Sequence, residues 1–192
     1  MLVGLTGQIG SGKSYVLNTI NSVYHYEVIQ TDVIAKKSYD DEIIKKKLDE
    51  SFLCLKDGKV DIMLLKQNLN GRYDLLNDII HPYVRKKLKE IDHQGKIIFV
   101  ELPLLFESKM EDIFDVTVAI DISDELRHQR IKNRNKDTYK YYLNLEKYQW
   151  STTKKCSKAT YILKQNENDD DNKRYLSDII KEIERKKSYD NL

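Results

Sequence analysis

Apolar positions recur along this chain at two spacings. Short apolar runs at Met1–Thr6, Tyr26–Ile29, Lys96–Leu102 and Asp115–Ile120 predict strands, the first buried and the third covered on both faces, with Tyr161–Leu163 as the core of a fifth. Between the runs, apolar residues return every three to four positions, which predicts helices. Val16, Leu17, Ile20 and Val23 share one face of Lys13–Val23. Leu176, Ile179, Ile180 and Ile183 do the same within Asp171–Lys187, whose acidic first turn and basic last turn suit the helix dipole. Two further helices are predicted over Ser123–Asn135 and over the tyrosine-rich Asp137–Trp150. Strands alternating with helices imply right-handed βαβ units and a parallel sheet. Residues 36–92 break this rhythm. That stretch is mostly helical and lysine-rich, has a turn signal at Lys56-Asp57-Gly58 and offers no strand, so it reads as a helical insertion after the second strand.

Composition adds mainly exclusions. The chain has 192 residues with 33 Lys plus Arg against 31 Asp plus Glu, a balance that leaves no electrostatic footprint for nucleic acid or an anionic membrane. No apolar run is long enough to cross a bilayer, and MLVGLTGQIG lacks the pattern of a signal peptide. Two cysteines, Cys54 and Cys156, are too few for a disulfide framework or a zinc site. The expectation is a reduced, cytoplasmic protein, a monomer or weak homo-oligomer.

Glycine changes the picture. Of seven glycines, four (Gly4, Gly7, Gly10 and Gly12) fall in the first twelve residues. Gly7-Gln8-Ile9-Gly10-Ser11-Gly12-Lys13-Ser14 fits G-x-x-x-x-G-K-[ST] in full, after a strand and before a helix. Such a loop curls its backbone so that successive N–H groups face phosphate oxygens, and the helix N-terminus adds partial positive charge. Lys13 is expected to reach the β- and γ-phosphates, Ser14 to ligate Mg²⁺, and Tyr15 to lie against the bound nucleotide. The fold class is thus α/β: a P-loop NTPase-type parallel sheet of about five strands with flanking helices and a helical insertion. GTPase chemistry is disfavoured, because Asn135-Lys136-Asp137-Thr138 misplaces the aspartate of N-K-x-D by one. A small-molecule kinase fits the size and the insertion better.

Asp32 follows the second strand, where α/β sheets place ligand-contacting groups. Its carboxylate is placed either to take a proton from an attacking hydroxyl or to cap a helix beginning near Val33. Three of the seven arginines, Arg127, Arg130 and Arg134, crowd one predicted helix. In a chain that otherwise prefers lysine, this suggests planar bidentate donors for phosphate, against the alternative of a solvated helix face.

Taken together, G-L-T-G-x-I-G-S-G-K-S, the aspartate before Val33-Ile34-Ala35, Asp57-Gly58, His81-Pro82 and Pro103-Leu104-Leu105-Phe106-Glu107 resemble the dephospho-CoA kinase family over residues 1–134. The resemblance implies transfer of the ATP γ-phosphoryl to the ribose 3′-hydroxyl of dephospho-CoA. The alternatives are another small-molecule or nucleoside monophosphate kinase, or a nucleotide-binding protein without catalysis. By the same resemblance Asp32 is the catalytic base, with Lys13 and Arg130 as catalytic cations. His81 and Leu105 lie on the acceptor side, unless His81 simply caps a helix with Pro82 at its first position. Glu101 is an acid that holds a water on Mg²⁺, and Glu107 either orders its loop or touches substrate. Arg127, Arg130 and Arg134 match arginines of a lid over ATP, and Gln149 aligns with a glutamine common in that region. The implied organisation is a nucleotide-binding core of residues 1–35, 93–134 and 156–192, an acceptor domain of 36–92 and a lid of 135–155. Departures from the family pattern are Gln30 for aspartate, Ile62 and Leu145 near positions of arginine, and Ala159-Thr160-Tyr161-Ile162-Leu163-Lys164-Gln165 for A-D-x-x-I-x-N beside the adenine.

Overall fold

The computed structural model describes residues 1–134 and 139–190. These divide into two compact units, one of residues 1–29 and 93–192 and one of residues 30–92.

The first unit is built on strands β1 (Leu2–Thr6), β2 (Glu27–Gln30), β5 (Ile98–Glu101), β6 (Val116–Asp121) and β7 (Tyr161–Lys164), two short strands of the other unit intervening in sequence. They form a five-stranded sheet in the order β2-β5-β1-β6-β7. Pairing runs parallel from β5 through β1 and β6 to β7, with Val3 level with Phe99 on one side and Val116 on the other. All five residues of β1 are buried, as its unbroken apolar run requires. On one face Val3 and Leu5 meet Val16, Leu17 and Ile20 of α1 (Lys13–Tyr24) and Leu176, Ile180 and Ile183 of the last helix, α9 (Asp169–Asp190). Gly4 points to the opposite face, where a Cβ would lie 2.7 Å from Leu105 Cδ1 and 2.9 Å from Phe114 Cγ. Glycine at this position lets the helix-free loop after β5 pack directly on the strand.

Three more helices follow β6: α6 (Asp124–Arg134), α7 (Tyr139–Glu146) and α8 (Thr152–Cys156). The last of these was not anticipated, since Thr-Thr-Lys-Lys-Cys carries no apolar periodicity. Strands β6 and β7 are also stitched by side chains. The Thr117 N–H donates to Thr160 Oγ1 and the Thr160 N–H to Thr117 Oγ1, both at 3.1 Å. No helix among the described residues is long and apolar enough to cross a membrane.

The second unit comprises α2 (Thr31–Lys37), α3 (Glu42–Phe52), β3 (Leu55–Lys56), β4 (Lys59–Val60), α4 (Ile62–Asn68) and α5 (Tyr73–Lys89). It has its own core of Ile44, Leu48, Phe52, Cys54, Leu65 and Leu69. Asp41 and Asp61 cap α3 and α4, each carboxylate accepting two backbone N–H groups at 2.8–3.1 Å. Two expectations are corrected here. The unit does hold strand: β3 and β4 pair as a minimal hairpin about Asp57 (φ 51°) and Gly58 (φ 72°), whose left-handed geometry the Asp-Gly pair supports. His81-Pro82 also does not begin a helix. Both lie inside α5, where Ile80, Val84 and Leu88 form a buried stripe that carries the helix through the proline.

Candidate active site

The glycine-rich loop leaves β1 at Gly7 and enters α1 at Lys13. Gly10 (φ +83°) and Gly12 (φ +90°) adopt backbone angles that side chains disfavour. At Gly10 a Cβ would also meet Ile131 Cγ1 at 2.8 Å and the Arg127 carbonyl at 2.9 Å. Gly10→Ala is therefore expected to lower stability by about 1–3 kcal/mol and to weaken ATP binding, read by thermal denaturation and calorimetric titration. Within the loop the Ser11 N–H bonds the Gln8 carbonyl at 3.1 Å. Lys13, 8% exposed, donates from Nζ to the carbonyls of Gly7 (2.9 Å) and Gln8 (3.1 Å). Its ammonium is thereby held over the concave side of the loop, where a triphosphate would compete for it.

Two features mark this loop as a cradle for anionic oxygen. Gly12 is the N-cap of α1 and offers no side chain to its first-turn amides, and that turn carries no acidic residue. The Ser11 hydroxyl is buried and, among the described residues, is the buried side-chain polar atom without a hydrogen-bond partner. Ser14 is exposed on the first turn of α1.

Arg130 reaches the loop from α6. Its Nη1 lies 3.5 Å from the Ser11 carbonyl, its Nη2 donates to the Asn166 carbonyl at 3.1 Å, and Nη1 would sit 3.1 Å from a Cβ on Gly12. Among the described residues no carboxylate pairs with it, and burial pulls its guanidinium below the usual arginine range. Arg127 behaves differently from a lid arginine open to ATP, and that expectation is corrected. It is fully buried, bonded to Asp124 and to Glu146 of α7, and donates to the Ile9 carbonyl at 3.2 Å. Burial alone would lower its pKa, but the hydrogen bonds to Glu146 and Asp124 outweigh it and hold it up. The side chain of Arg134 and residues 135–138, the start of the expected lid, lie outside the described residues.

Other expected contacts distribute unevenly. The Ile9 N–H does not face inward; it donates to Gln149 Oε1 at 2.8 Å. The Tyr15 hydroxyl donates to Asp169 Oδ1 at 2.5 Å, which raises its pKa, chiefly through that hydrogen bond. Glu101 ends β5, half-exposed and level with Leu5 of β1. Leu105 is 0% exposed and packs on Gly4, so its side chain offers no accessible surface. Both carboxylate oxygens of Glu107 are engaged by the fold, accepting from the buried Lys155 ammonium and from the Trp150 N–H. Gln165 is buried with its Oε1 3.8 Å from where a Gly12 Cβ would stand.

In the other unit, Asp32 is the second residue of α2 and exposed. The helix starts at Thr31 with Gln30 as N-cap and no side-chain cap, so Asp32 is not the capping residue. Among the described residues no hydrogen bond or ion pair engages its carboxylate. His81 is half-buried, and burial lowers its pKa, favouring the neutral imidazole at neutral pH. Sequence reasoning missed Lys155 and Thr152, both buried polar residues. Nothing marks Lys155 in a stretch where lysine is the commonplace residue; Gln149 was the one visible signal for this segment.

A parallel sheet whose first strand leads into a complete G-x-x-x-x-G-K-S loop, with an arginine beside it that no carboxylate pairs among the described residues, defines a P-loop nucleotide-binding protein. Comparison with known proteins narrows the class. The dephospho-CoA kinase family model matches residues 1–171. A dephospho-CoA kinase of Fusobacterium nucleatum is 32% identical, with 96% of each chain covered, and one of Saccharomyces cerevisiae is 30% identical over 96% of this chain and 83% of its own. Among solved structures, dephospho-CoA kinase from Campylobacter jejuni matches with a TM-score of 0.69 at 27% identity, covering 97% of this chain and 98% of that one. Shikimate kinase from Aquifex aeolicus shares the fold, with a TM-score of 0.53 at 21% identity and 96% of each chain covered. The chain belongs to the dephospho-CoA kinase family: it is a kinase that transfers phosphate to an alcohol group, in the final step of coenzyme A biosynthesis.

Proposed function

We propose that this chain carries the γ-phosphoryl group of ATP to the ribose 3′-hydroxyl of dephospho-CoA, with Asp32 as general base. The observation that carries the reading is the phosphate cradle itself: an uncapped helix start, Lys13 held over the loop and, among the described residues, a buried Ser11 hydroxyl without a partner and no carboxylate on Arg130. Lys13 and Arg130 neutralise charge on the transferring phosphoryl, and the loop amides of Gly10, Gly12, Lys13 and Ser14 bind the phosphate chain. Arg134 is assigned to the nucleotide by the family pattern alone. Tyr15, tethered to Asp169, closes the nucleotide end of the helix.

The donor set also fits Mg²⁺. Among the described residues no cluster of three His, Cys, Asp or Glu exists to hold a metal, so a cation here must draw most of its ligands from phosphate and water. The Ser14 hydroxyl is the direct protein ligand and Glu101 holds a bound water. When bound, Mg²⁺ supplies charge neutralisation between the phosphates.

Asp32 accepts the proton of the attacking hydroxyl. Residues 36–92 supply the acceptor-binding surface, where the neutral His81 hydrogen-bonds the acceptor. Leu105 and Glu107 contribute by shaping the loop after β5. Residues 135–155 form the lid, which excludes water that would otherwise hydrolyse ATP.

The test is acceptor-dependent ADP release from Mg-ATP with dephospho-CoA, AMP and shikimate in parallel. Release with dephospho-CoA alone is expected. Release with AMP or shikimate and none with dephospho-CoA would overturn the assignment.

A further inference from the structure

We infer that Gln149, Thr152 and Lys155 are positioning residues for ATP: they form a strap that fixes the phosphate loop at Gln8 and Ile9 before nucleotide arrives. The inference rests on the ATP-dependent reading above.

The first half of a glycine-rich loop has little to define its shape, because glycine leaves many backbone states open. Here the bonds of Ser11 and Lys13 to the Gly7 and Gln8 carbonyls are joined by others from outside the loop. Gln149 Oε1 accepts the Ile9 N–H at 2.8 Å, while Arg127 Nη1 donates to the Ile9 carbonyl at 3.2 Å. Gln8, 4% exposed, turns its Oε1 to α8, where it accepts from the Thr152 N–H at 2.9 Å and from Thr152 Oγ1 at 2.8 Å. Both backbone groups of Ile9 and the side chain of Gln8 are thus spoken for.

The strap is itself anchored. Lys155 is 0% exposed, and its Nζ donates to the Pro103 carbonyl at 2.7 Å and to Glu107 Oε2 at 2.9 Å, with Thr6 Oγ1 at 3.5 Å. Glu107 Oε1 accepts the Trp150 N–H at 2.7 Å. One carboxylate therefore holds both ends of residues 150–155, and its loop packs on β1. Burial lowers the Lys155 pKa, and Glu107 beside it opposes the shift. A buried ion pair alone is weak evidence for stability, and its better-attested use is fixing one arrangement among several. A loop ordered in advance spares the ligand the entropic cost of ordering it, which appears as tighter binding.

A strap that merely braces the fold would change melting temperature and degrade both substrates alike. A positioning strap changes ATP affinity selectively. The test compares wild type, Thr152→Val, Thr152→Ser and Gln149→Leu by calorimetric ATP titration without acceptor, and by steady-state KM for each substrate. Gln149 is half-buried on the strap, so Gln149→Leu folds even where Thr152→Val does not. Thr152→Val and Gln149→Leu are expected to weaken ATP Kd and raise ATP KM by about five- to tenfold, the size of one lost hydrogen bond. The KM for dephospho-CoA stays unchanged, and Thr152→Ser, which keeps the hydroxyl, binds ATP as wild type does. Unchanged ATP Kd in both variants, an equal rise in both KM values, or a Thr152→Ser defect matching Thr152→Val would each overturn the inference. Wild type that fails to bind ATP overturns the functional reading instead, a result read in the first titration.

Discussion

Replacing Asp32 with asparagine is expected to lower kcat by about 10²–10⁴-fold, the scale of a lost general base, while ATP binding survives. The substitution is nearly isosteric, and the carboxylate is exposed with no hydrogen bond or ion pair among the described residues. Folding therefore loses only the carboxylate's interaction with the start of α2, about 0.3–1 kcal/mol. An acidic residue in the first turn of α2 also suits the helix dipole, so the kinetic effect and not the position separates the catalytic role from a structural one. Single-turnover ADP formation with saturating Mg-ATP and dephospho-CoA isolates the chemical step from product release. A kcat within about threefold of wild type would remove Asp32 from the proton transfer, since a positioned base contributes far more than that.

Lys13→Ala should be as damaging by a different route. The ammonium is nearly buried and held at the loop by two carbonyls, from which phosphate oxygens would draw it. Its removal is expected to cost about 10²–10³-fold in kcat/KM for ATP, the range for a lost preorganised electrostatic donor, and to weaken ATP binding as well. The two variants are distinguishable: Asp32→Asn leaves the calorimetric ATP signal in place, whereas Lys13→Ala diminishes it. Full ATP affinity in Lys13→Ala would mean that the loop does not grip the phosphates as described.

How much of this was legible in the sequence follows from the physics of each element. The sheet was readable because parallel strands covered on both faces leave continuous apolar runs, and β1, β5 and β6 are buried throughout or nearly so. The phosphate loop was readable because its backbone angles demand glycine at Gly10 and Gly12. Strands β3 and β4 are two residues each and α8 only five, too short for any period to show. His81-Pro82 misled because proline resembles a helix start, yet the stripe of Ile80, Val84 and Leu88 outweighs the hydrogen bond it removes. The arginine cluster divides in the structure: Arg127 is engaged by Glu146 and Asp124, whereas no carboxylate pairs with Arg130 among the described residues. Lys155 was beyond reach: burial of one lysine among many is set by Glu107 and Pro103, 48 and 52 positions earlier in the chain.

The most direct measurement is a crystal structure of the ternary complex with a non-hydrolysable ATP analogue, Mg²⁺ and dephospho-CoA. The predicted result places the 3′-oxygen of the acceptor about 2.6–3.2 Å from an Asp32 carboxylate oxygen and in line with the γ-phosphorus. An acceptor hydroxyl bonded to a different base, with Asp32 left in solvent, would contradict it.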